Sequence, residues 1–141
     1  MHYRAAEKML YTYPVNMMRY REALLEYMRI CGETDCHGQS YRESMNDNRE
    51  PGDPVNEYVA RKQRAEKEFK KYSVLTREVG KIRRELRASD DVKEQIMLQV
   101  MELYYFEGMS MRELAMHLGQ NERTLYRRRE ELVKRVMASW R

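Results

Sequence analysis

The sequence has few of the residues that build metal centres and disulfides. Its 141 residues include two cysteines and three histidines, whereas a structural zinc site needs four ligands at regular spacings. Cys31 and Cys36 lie close together with His37 adjacent, but His2 and His117 are far away in the sequence. We therefore expect no metal and no other cofactor. Both thiols are expected to be reduced, with Cys31 packed at a helix end.

Long apolar segments are also missing. No run approaches the roughly 18 apolar residues that a membrane-spanning helix needs. Charged residues make up 35% of the chain, and its first residues do not form the apolar core of a signal peptide. These features exclude a transmembrane protein and predict a protein of the cytoplasm. The net charge of +4 is small, so attraction to nucleic acid has to come from local clusters of basic residues.

Recognisable catalytic motifs are missing as well. The sequence has six glycines but no glycine-rich loop that could hold a phosphate. No serine or cysteine is placed beside a histidine that could act as its base, and no pair of carboxylates stands out from the general surface charge. We therefore expect a protein that is not an enzyme.

Helical periodicity is what the sequence does contain, and it predicts an all-α fold. In the N-terminal half, apolar and aromatic residues alternate at spacings of four and three, the period of a coiled-coil seam. Pro14 suits the first turn of this helix and Gly32 suits its end. Residues 32–53 are rich in polar and turn-forming types, and we interpret them as a flexible loop. The seam residues are Tyr13, Met17, Tyr20, Leu24, Tyr27 and Cys31.

A second, longer helix is predicted to follow. Asp53 and Pro54 have the cap and first-turn pattern of a helix start. The Pro14 helix would cover only about half of this helix at about 1.5 Å per residue. A second copy of the chain is therefore expected to cover the remainder as a homodimer, unless the helix breaks near Gly80 and folds back. Residues 1–87 would then form a helical, coiled-coil-like assembly region. The apolar stripe of the long helix is Val55, Tyr58, Ala65, Phe69, Tyr72, Val79 and Leu86.

Residues 88–141 are predicted to form a separate DNA-binding domain. Ser89 or Asp90 is expected to cap a scaffold helix against which two further helices pack. Three aromatic residues at the end of this scaffold helix are interpreted as core and turn-anchoring side chains. They are Tyr104, Tyr105 and Phe106, and the apolar residues of the helix are Val92, Ile96, Val100 and Leu103.

The next residues have the pattern of a helix-turn-helix motif. Ser110 is followed three residues later by Glu113, a capping box that begins a short helix. Gly119 supplies the left-handed conformation that ends this helix, and Asn121 is a suitable cap for the next one. A short capped helix, a glycine turn and a second capped helix are the parts that such a motif needs to place side chains in a DNA groove.

The last helix combines an apolar stripe with a basic face. Leu125, Leu132 and Val136 share the inward side. From Arg123 to Arg141 there are seven basic and two acidic residues, a net charge of +5. Such a face is often only solvated surface, but its coincidence with the helix-turn-helix pattern favours double-stranded DNA as the partner. The residues expected to contact DNA are Asn121, Arg123, Thr124, Tyr126, Arg127, Arg128 and Lys134.

The run from Leu103 to Val136 resembles the C-terminal helix-turn-helix of bacterial sigma factors, known as region four. It resembles more closely that of the RinA and ArpU type of phage late-gene transcription regulators. The resemblance covers roughly the last third of the chain, and Gln120 departs from it where these motifs have a small apolar residue. The matching residues are Tyr104-Tyr105-Phe106, Glu113-Leu114-Ala115 and Thr124-Leu125-Tyr126-Arg127-x-Arg129.

This resemblance implies a sequence-specific DNA-binding transcriptional regulator. In particular, it implies a phage-encoded activator of late genes that acts with host RNA polymerase in the cytoplasm of a bacterial cell. Two alternatives stay open: a sigma-like factor that binds polymerase and recognises a promoter, and a DNA-packaging adaptor similar to phage small terminase subunits. In those adaptors the DNA-binding domain usually precedes the assembly helices, the reverse of the order here.

Overall fold

A computed structural model describes residues 1–44 and 54–140, and the side chains within 1–32 and 55–140. Every element in these residues is helical, which confirms the predicted all-α fold. None of these helices combines the length and the apolar character needed to cross a membrane. The elements are α1 (Tyr3–Ser44), α2 (Pro54–Ala88), α3 (Val92–Gln99), a π-helical segment (Val100–Phe106), α4 (Met111–Leu118) and α5 (Glu122–Ser139).

Helix α1 is longer at both ends than its sequence predicts. It begins at Tyr3, so Pro14 lies inside the helix and not in its first turn. Proline inside a helix removes one backbone hydrogen bond, at a cost of about 3 kcal/mol. The turns before Pro14 offset this cost by burying Ala6 and Leu10 completely. The prediction that the helix begins near Pro14 is therefore wrong.

The prediction of a loop over residues 32–53 is also wrong where the structure tests it. Helix α1 continues through Gly32 and ends at Ser44. A glycine inside a helix costs only about 1 kcal/mol relative to alanine, so it does not by itself end one. The remainder of the predicted loop, residues 45–53, lies outside the described residues, and so does the predicted cap Asp53.

Helix α2 begins at Pro54, as predicted, and runs without a break through Gly80 to Ala88. A Cβ atom at Gly80 would lie 3.2 Å from the hydroxyl oxygen of Tyr13, so glycine permits a close approach of this ring. The alternative of a break at Gly80 is therefore wrong. Five residues of the predicted stripe are buried, namely Tyr58, Ala65, Tyr72, Val79 and Leu86, while Val55 and Phe69 are half-buried.

The chain divides into two compact units, and their boundaries differ from the one predicted at residue 88. The first unit contains residues 1–16 and 74–141, and the second contains residues 17–73. Aromatic contacts join the start of α1 to the π-helical segment within the first unit. The ring centroids of Tyr13 and Phe106 lie 5.1 Å apart, and those of Tyr11 and Tyr105 lie 4.7 Å apart.

In the second unit, α1 and α2 of the same chain pack on one another. Ile30, Tyr58 and Ala65 are buried together, with Tyr27 packed against them. The predicted seam of α1 lies on its half-buried side over residues 17–31. Helix α1 has 42 residues and α2 has 35, so the length mismatch that led us to expect a second chain does not exist.

Helices α3, α4 and α5 and the π-helical segment pack on one another in the first unit. The cap of α3 is Asp91, whose carboxylate accepts a hydrogen bond of 2.9 Å from the backbone N–H of Lys93. Ser89 and Asp90 do not cap the helix, because Ser89 instead accepts from the N–H of Asp91. Residues buried in this part include Val100, Met101, Tyr105, Leu114, Leu125, Leu132, Val133 and Val136.

Candidate nucleic-acid interface

Helix α4 begins and ends where its sequence predicts. The side-chain oxygen of Ser110 accepts a hydrogen bond of 3.2 Å from the backbone N–H of Glu113. Gly119 ends the helix in the left-handed conformation, with φ of 65° and ψ of 30°. Residues with a Cβ atom rarely adopt this conformation, so glycine is the natural choice at this position.

Helix α5 follows after three residues, Gly119, Gln120 and Asn121. The side-chain oxygen of Asn121 caps it by accepting a hydrogen bond of 2.9 Å from the backbone N–H of Arg123. Leu125, Leu132 and Val136 are fully buried, as the apolar stripe predicts. One side of α5 is therefore packed against the other helices of the first unit, and its opposite side faces solvent.

Two arginines near the start of α5 lie on this solvent side. Arg123 and Arg127 are both exposed. Within the described residues neither forms an ion pair, so their charges are not neutralised by the fold. The caps and the buried stripe bring these two side chains to one face, and Tyr126, which is 50% exposed, lies on the flank beside it. Thr124, on the flank, is half-buried.

Lys134 also lies on the exposed side of α5, but it has a partner. Its ammonium nitrogen is 3.1 Å from the carboxylate of Glu130, one helical turn earlier. An exposed pair of this kind contributes only a few tenths of a kcal/mol, so it can open when a phosphate approaches.

Arg128 is the predicted site residue that the structure places differently. It is only 7% exposed, and its guanidinium forms an ion pair of 2.5 Å with Glu131. Arg128 therefore lies on the inward side of α5, apart from the exposed Arg123 and Arg127, and its contact with DNA stays a prediction. Residue 128 lies three positions after Leu125 and four before Leu132, so the helical repeat itself could have identified it as an inward position.

Two more basic residues of α5 contribute to the fold. The guanidinium of Arg135 donates hydrogen bonds of 2.9 Å to Glu85 and 3.0 Å to Glu94. Arg129 lies 3.5 Å from the carboxylate of Glu7 and donates a hydrogen bond of 3.1 Å to the hydroxyl of Tyr104. The predicted excess of positive charge on α5 is therefore partly used inside the protein.

The three aromatic residues that precede α4 have the predicted structural role. Tyr105 is 3% exposed, and its hydroxyl donates a hydrogen bond of 2.9 Å to Glu7. Burial first, and then this hydrogen bond, raise the pKa of Tyr105 far above its usual value. Burial and the contact with Tyr104 raise the pKa of Tyr11 to about 12. Both phenols are therefore protonated at neutral pH, and they donate hydrogen bonds.

Two residues that lie at or support the candidate interface were not predicted from the sequence. Arg112, in the first turn of α4, is exposed and has no ion pair among the described residues. Its position two residues after the cap Ser110 was a usable signal, because the first motif helix crosses the DNA backbone. Glu7 was missed because no local pattern links α1 to α5.

No protein-family model, curated protein or solved structure matches the chain. Over the part of the chain that the structure describes, no group of three histidine, cysteine or acidic side chains could hold a metal ion. The features that bear on function are therefore the geometry of α4 and α5 and the sequence resemblance.

Proposed function

We propose that this protein is a sequence-specific transcriptional regulator that contacts double-stranded DNA through the N-terminal part of α5. The observation that supports this proposal is the exposed pair Arg123 and Arg127 at the start of a capped helix. The opposite side of that helix is buried through Leu125, Leu132 and Val136. A helix held in this way presents its first two turns to the major groove.

The spacing of the two arginines suits contacts with base pairs about two steps apart. Arg123 and Arg127 are four residues apart, which corresponds to about 6 Å along a helix axis. Base pairs follow one another at about 3.4 Å. Each guanidinium has the fork of donors that matches O6 and N7 of guanine, and it also binds phosphate.

The test is a selection of preferred DNA sites followed by binding titrations with Arg127→Ala and a control, Arg64→Ala. Arg64 is an exposed arginine of α2 in the second unit, so the control removes the same charge elsewhere. We expect Arg127→Ala to weaken binding by about 1–3 kcal/mol, or roughly 5- to 150-fold, and to relax the preference at particular base pairs. Arg64→Ala should leave the preference unchanged.

The salt dependence of binding separates base contacts from phosphate contacts. Loss of one phosphate contact lowers the slope of log affinity against log salt concentration by about 0.9, whereas loss of a base contact changes the preferred sequence. If Arg127→Ala and Arg64→Ala weaken binding equally, or if no preferred site emerges from the selection, the proposal is wrong.

The finer parts of the proposal come from the resemblance to phage regulators. They are activation of late genes with host RNA polymerase and action in the bacterial cytoplasm. Transcription from the selected site with purified bacterial polymerase tests them, with and without the protein. Increased transcript would support an activator, whereas a monomer that selects its site only when polymerase is present would favour the sigma-like alternative.

A homodimer also belongs to the proposal. The homodimer is supported by three exposed apolar residues of α1 in the second unit, Met18, Leu25 and Met28. Large apolar residues exposed near one another are characteristic of contact surfaces between chains. The mass of the full chain in solution, measured over a range of concentrations, tests this part, and a monomer at all concentrations would exclude it.

A further inference from the structure

Tyr126 is a half-exposed aromatic side chain near the start of α5. It is 50% exposed, and it lies on the flank of α5 beside the face that carries Arg123 and Arg127. The exposed half of its ring is not used in the core. Among the base edges of the major groove, the C5-methyl group of thymine is the apolar feature that such a ring can contact.

The ring of Tyr126 is in contact with the guanidinium of Arg129. The central carbon of this guanidinium lies 5.5 Å from the centroid of Tyr126 and 5.4 Å from the centroid of Tyr104. A cation within about 6 Å of an aromatic face is attracted to it. The contact restricts the rotation of Tyr126 and leaves the remainder of its ring exposed.

Arg129 is itself fixed by residues distant in the sequence. Its guanidinium donates to the hydroxyl of Tyr104 at 3.1 Å and lies 3.5 Å from the carboxylate of Glu7. The same carboxylate oxygen of Glu7 accepts the hydrogen bond from the buried hydroxyl of Tyr105. A continuous set of contacts therefore connects the buried Tyr105, through Glu7 of α1 and Arg129, to the exposed ring of Tyr126. All of these residues belong to the first unit.

We infer that Tyr126 determines a preference for thymine in the DNA site, and that Glu7 and Arg129 are positioning residues for its ring. This inference rests on the proposed DNA-binding function. Arg129 is thereby given a role other than phosphate binding, since its charge is used inside the unit. The first turns of α1 then influence which sequence is bound, although they precede the motif by most of the length of the chain.

The test replaces each thymine of the selected site by uracil, which removes one methyl group and leaves every hydrogen-bonding group unchanged. Burial of one methyl group corresponds to about a fourfold change in affinity. For the wild-type chain we expect the affinity to fall about fourfold when uracil replaces thymine at the one position that each copy of Tyr126 contacts. Tyr126→Ala should remove this discrimination, and Tyr126→Phe should retain it because the ring makes the contact.

The positioning residues are tested by the same ratio of affinities. Glu7→Gln and Arg129→Gln should reduce the discrimination between thymine and uracil at that position. The matched control is Glu22→Gln, which makes the same change at an exposed glutamate of α1 in the second unit. It should keep the wild-type ratio. A residue with only a structural role would lower affinity equally for both bases, so the ratio separates positioning from stability.

Several results would overturn the inference without touching the proposed function. One is that Tyr126→Ala still discriminates between thymine and uracil. Another is that the wild-type chain discriminates at no position of a site whose binding still depends on Arg127. A third is that the selected site contains no thymine. A wild-type ratio in both Glu7→Gln and Arg129→Gln would overturn the positioning role alone. Because Tyr126 is half-exposed, Tyr126→Ala is expected to fold. Thermal unfolding of this variant serves as the control for folding. If the wild-type chain selects no site at all, the proposed function itself fails.

Discussion

Replacement of Leu10 by alanine tests whether the start of α1 is part of the same folded unit as the helix-turn-helix. Leu10 is 0% exposed and lies in the first unit, which also contains α3, α4 and α5. Leu25 provides a matched control, because it is the same residue type on the same helix and is 65% exposed. The two substitutions make identical chemical changes and differ only in what surrounds the side chain.

The expected magnitudes differ by several-fold. A fully buried leucine replaced by alanine costs about 2–5 kcal/mol, the sum of lost apolar burial and the cavity that is left. At the exposed position, Leu25→Ala should change the free energy of unfolding by no more than about 0.5 kcal/mol. The slightly higher helix propensity of alanine acts in the stabilising direction. Small domains are stable by only about 5–15 kcal/mol in total, so Leu10→Ala removes a large fraction of this free energy.

The assay follows the fluorescence of Trp140 during denaturation by urea. This residue is the only tryptophan of the chain and it lies at the end of α5 in the first unit. Leu10→Ala should lower the urea midpoint reported by Trp140, whereas Leu25→Ala should not at protein concentrations at which the chain is a monomer, because only a homodimer would cover Leu25. Equal midpoints for the two variants would refute the assignment of residues 1–16 to this unit. Repeating the measurement at several protein concentrations shows whether Leu25 also takes part in a contact between chains.

Two further predictions concern the cap of α3 and the response to alkaline pH. Asp91→Ala should cost about 1 kcal/mol in thermal or urea unfolding because Asp91 caps the helix, whereas Asp90→Ala should be close to neutral; equal costs would place the cap elsewhere. Unfolded tyrosines ionise near pH 10, and the pKa values of Tyr105 and Tyr11 are raised in the folded chain. The stability that these groups contribute is therefore present below about pH 10 and is lost as the pH rises further. Tyr105→Phe should flatten the decline of the urea midpoint between about pH 10 and 12, and an unchanged slope would contradict the assignment.

The local features of the candidate site could be predicted from the sequence because their causes are local. A serine with a glutamate three residues later satisfies backbone groups within one turn, and a glycine adopts a left-handed conformation at little cost. Ser110, Gly119 and Asn121 accordingly lie at the predicted helix ends. The cap of α3 was predicted one or two residues too early, because Ser89, Asp90 and Asp91 are all suitable capping types and only the fold selects among them.

The ends of α1 could not be predicted in this way, because intrinsic preference and burial oppose each other there. Pro14 disfavours a helix interior by about 3 kcal/mol. Burial of a leucine such as Leu10 contributes about 1.5–3 kcal/mol, and Ala6 and Tyr13 are buried beside it on the same side of the helix. The sum of these contacts exceeds the cost of one proline, but it becomes visible only when the packing partners are known.

From Arg123 to Arg141 the sequence carries a net charge of +5, but α5 includes Glu122 and ends at Ser139, so it has six basic and three acidic residues. Counting also does not show which of these charges are paired. Arg135 is 41 positions away from its partner Glu94, and Arg129 is still farther from Glu7. Such pairs depend on the tertiary fold, so no spacing rule reveals them. The inward position of Arg128 is different, since it follows from the same helical repeat that identified Leu125 and Leu132.

These pairs extend the proposed DNA-binding domain beyond residues 88–141. A fragment that begins at residue 88 retains both motif helices but lacks Glu7 and Glu85, the partners of Arg129 and Arg135. The partly buried guanidinium of Arg129 would then lose its acidic partner, and that of Arg135 would keep only Glu94. This loss destabilises the fold and leaves positive charge that binds phosphate without regard to sequence. The proposed DNA-binding domain is therefore the whole first unit, residues 1–16 with 74–141, because Glu7 of α1 and Glu85 of α2 pair with Arg129 and Arg135 of α5.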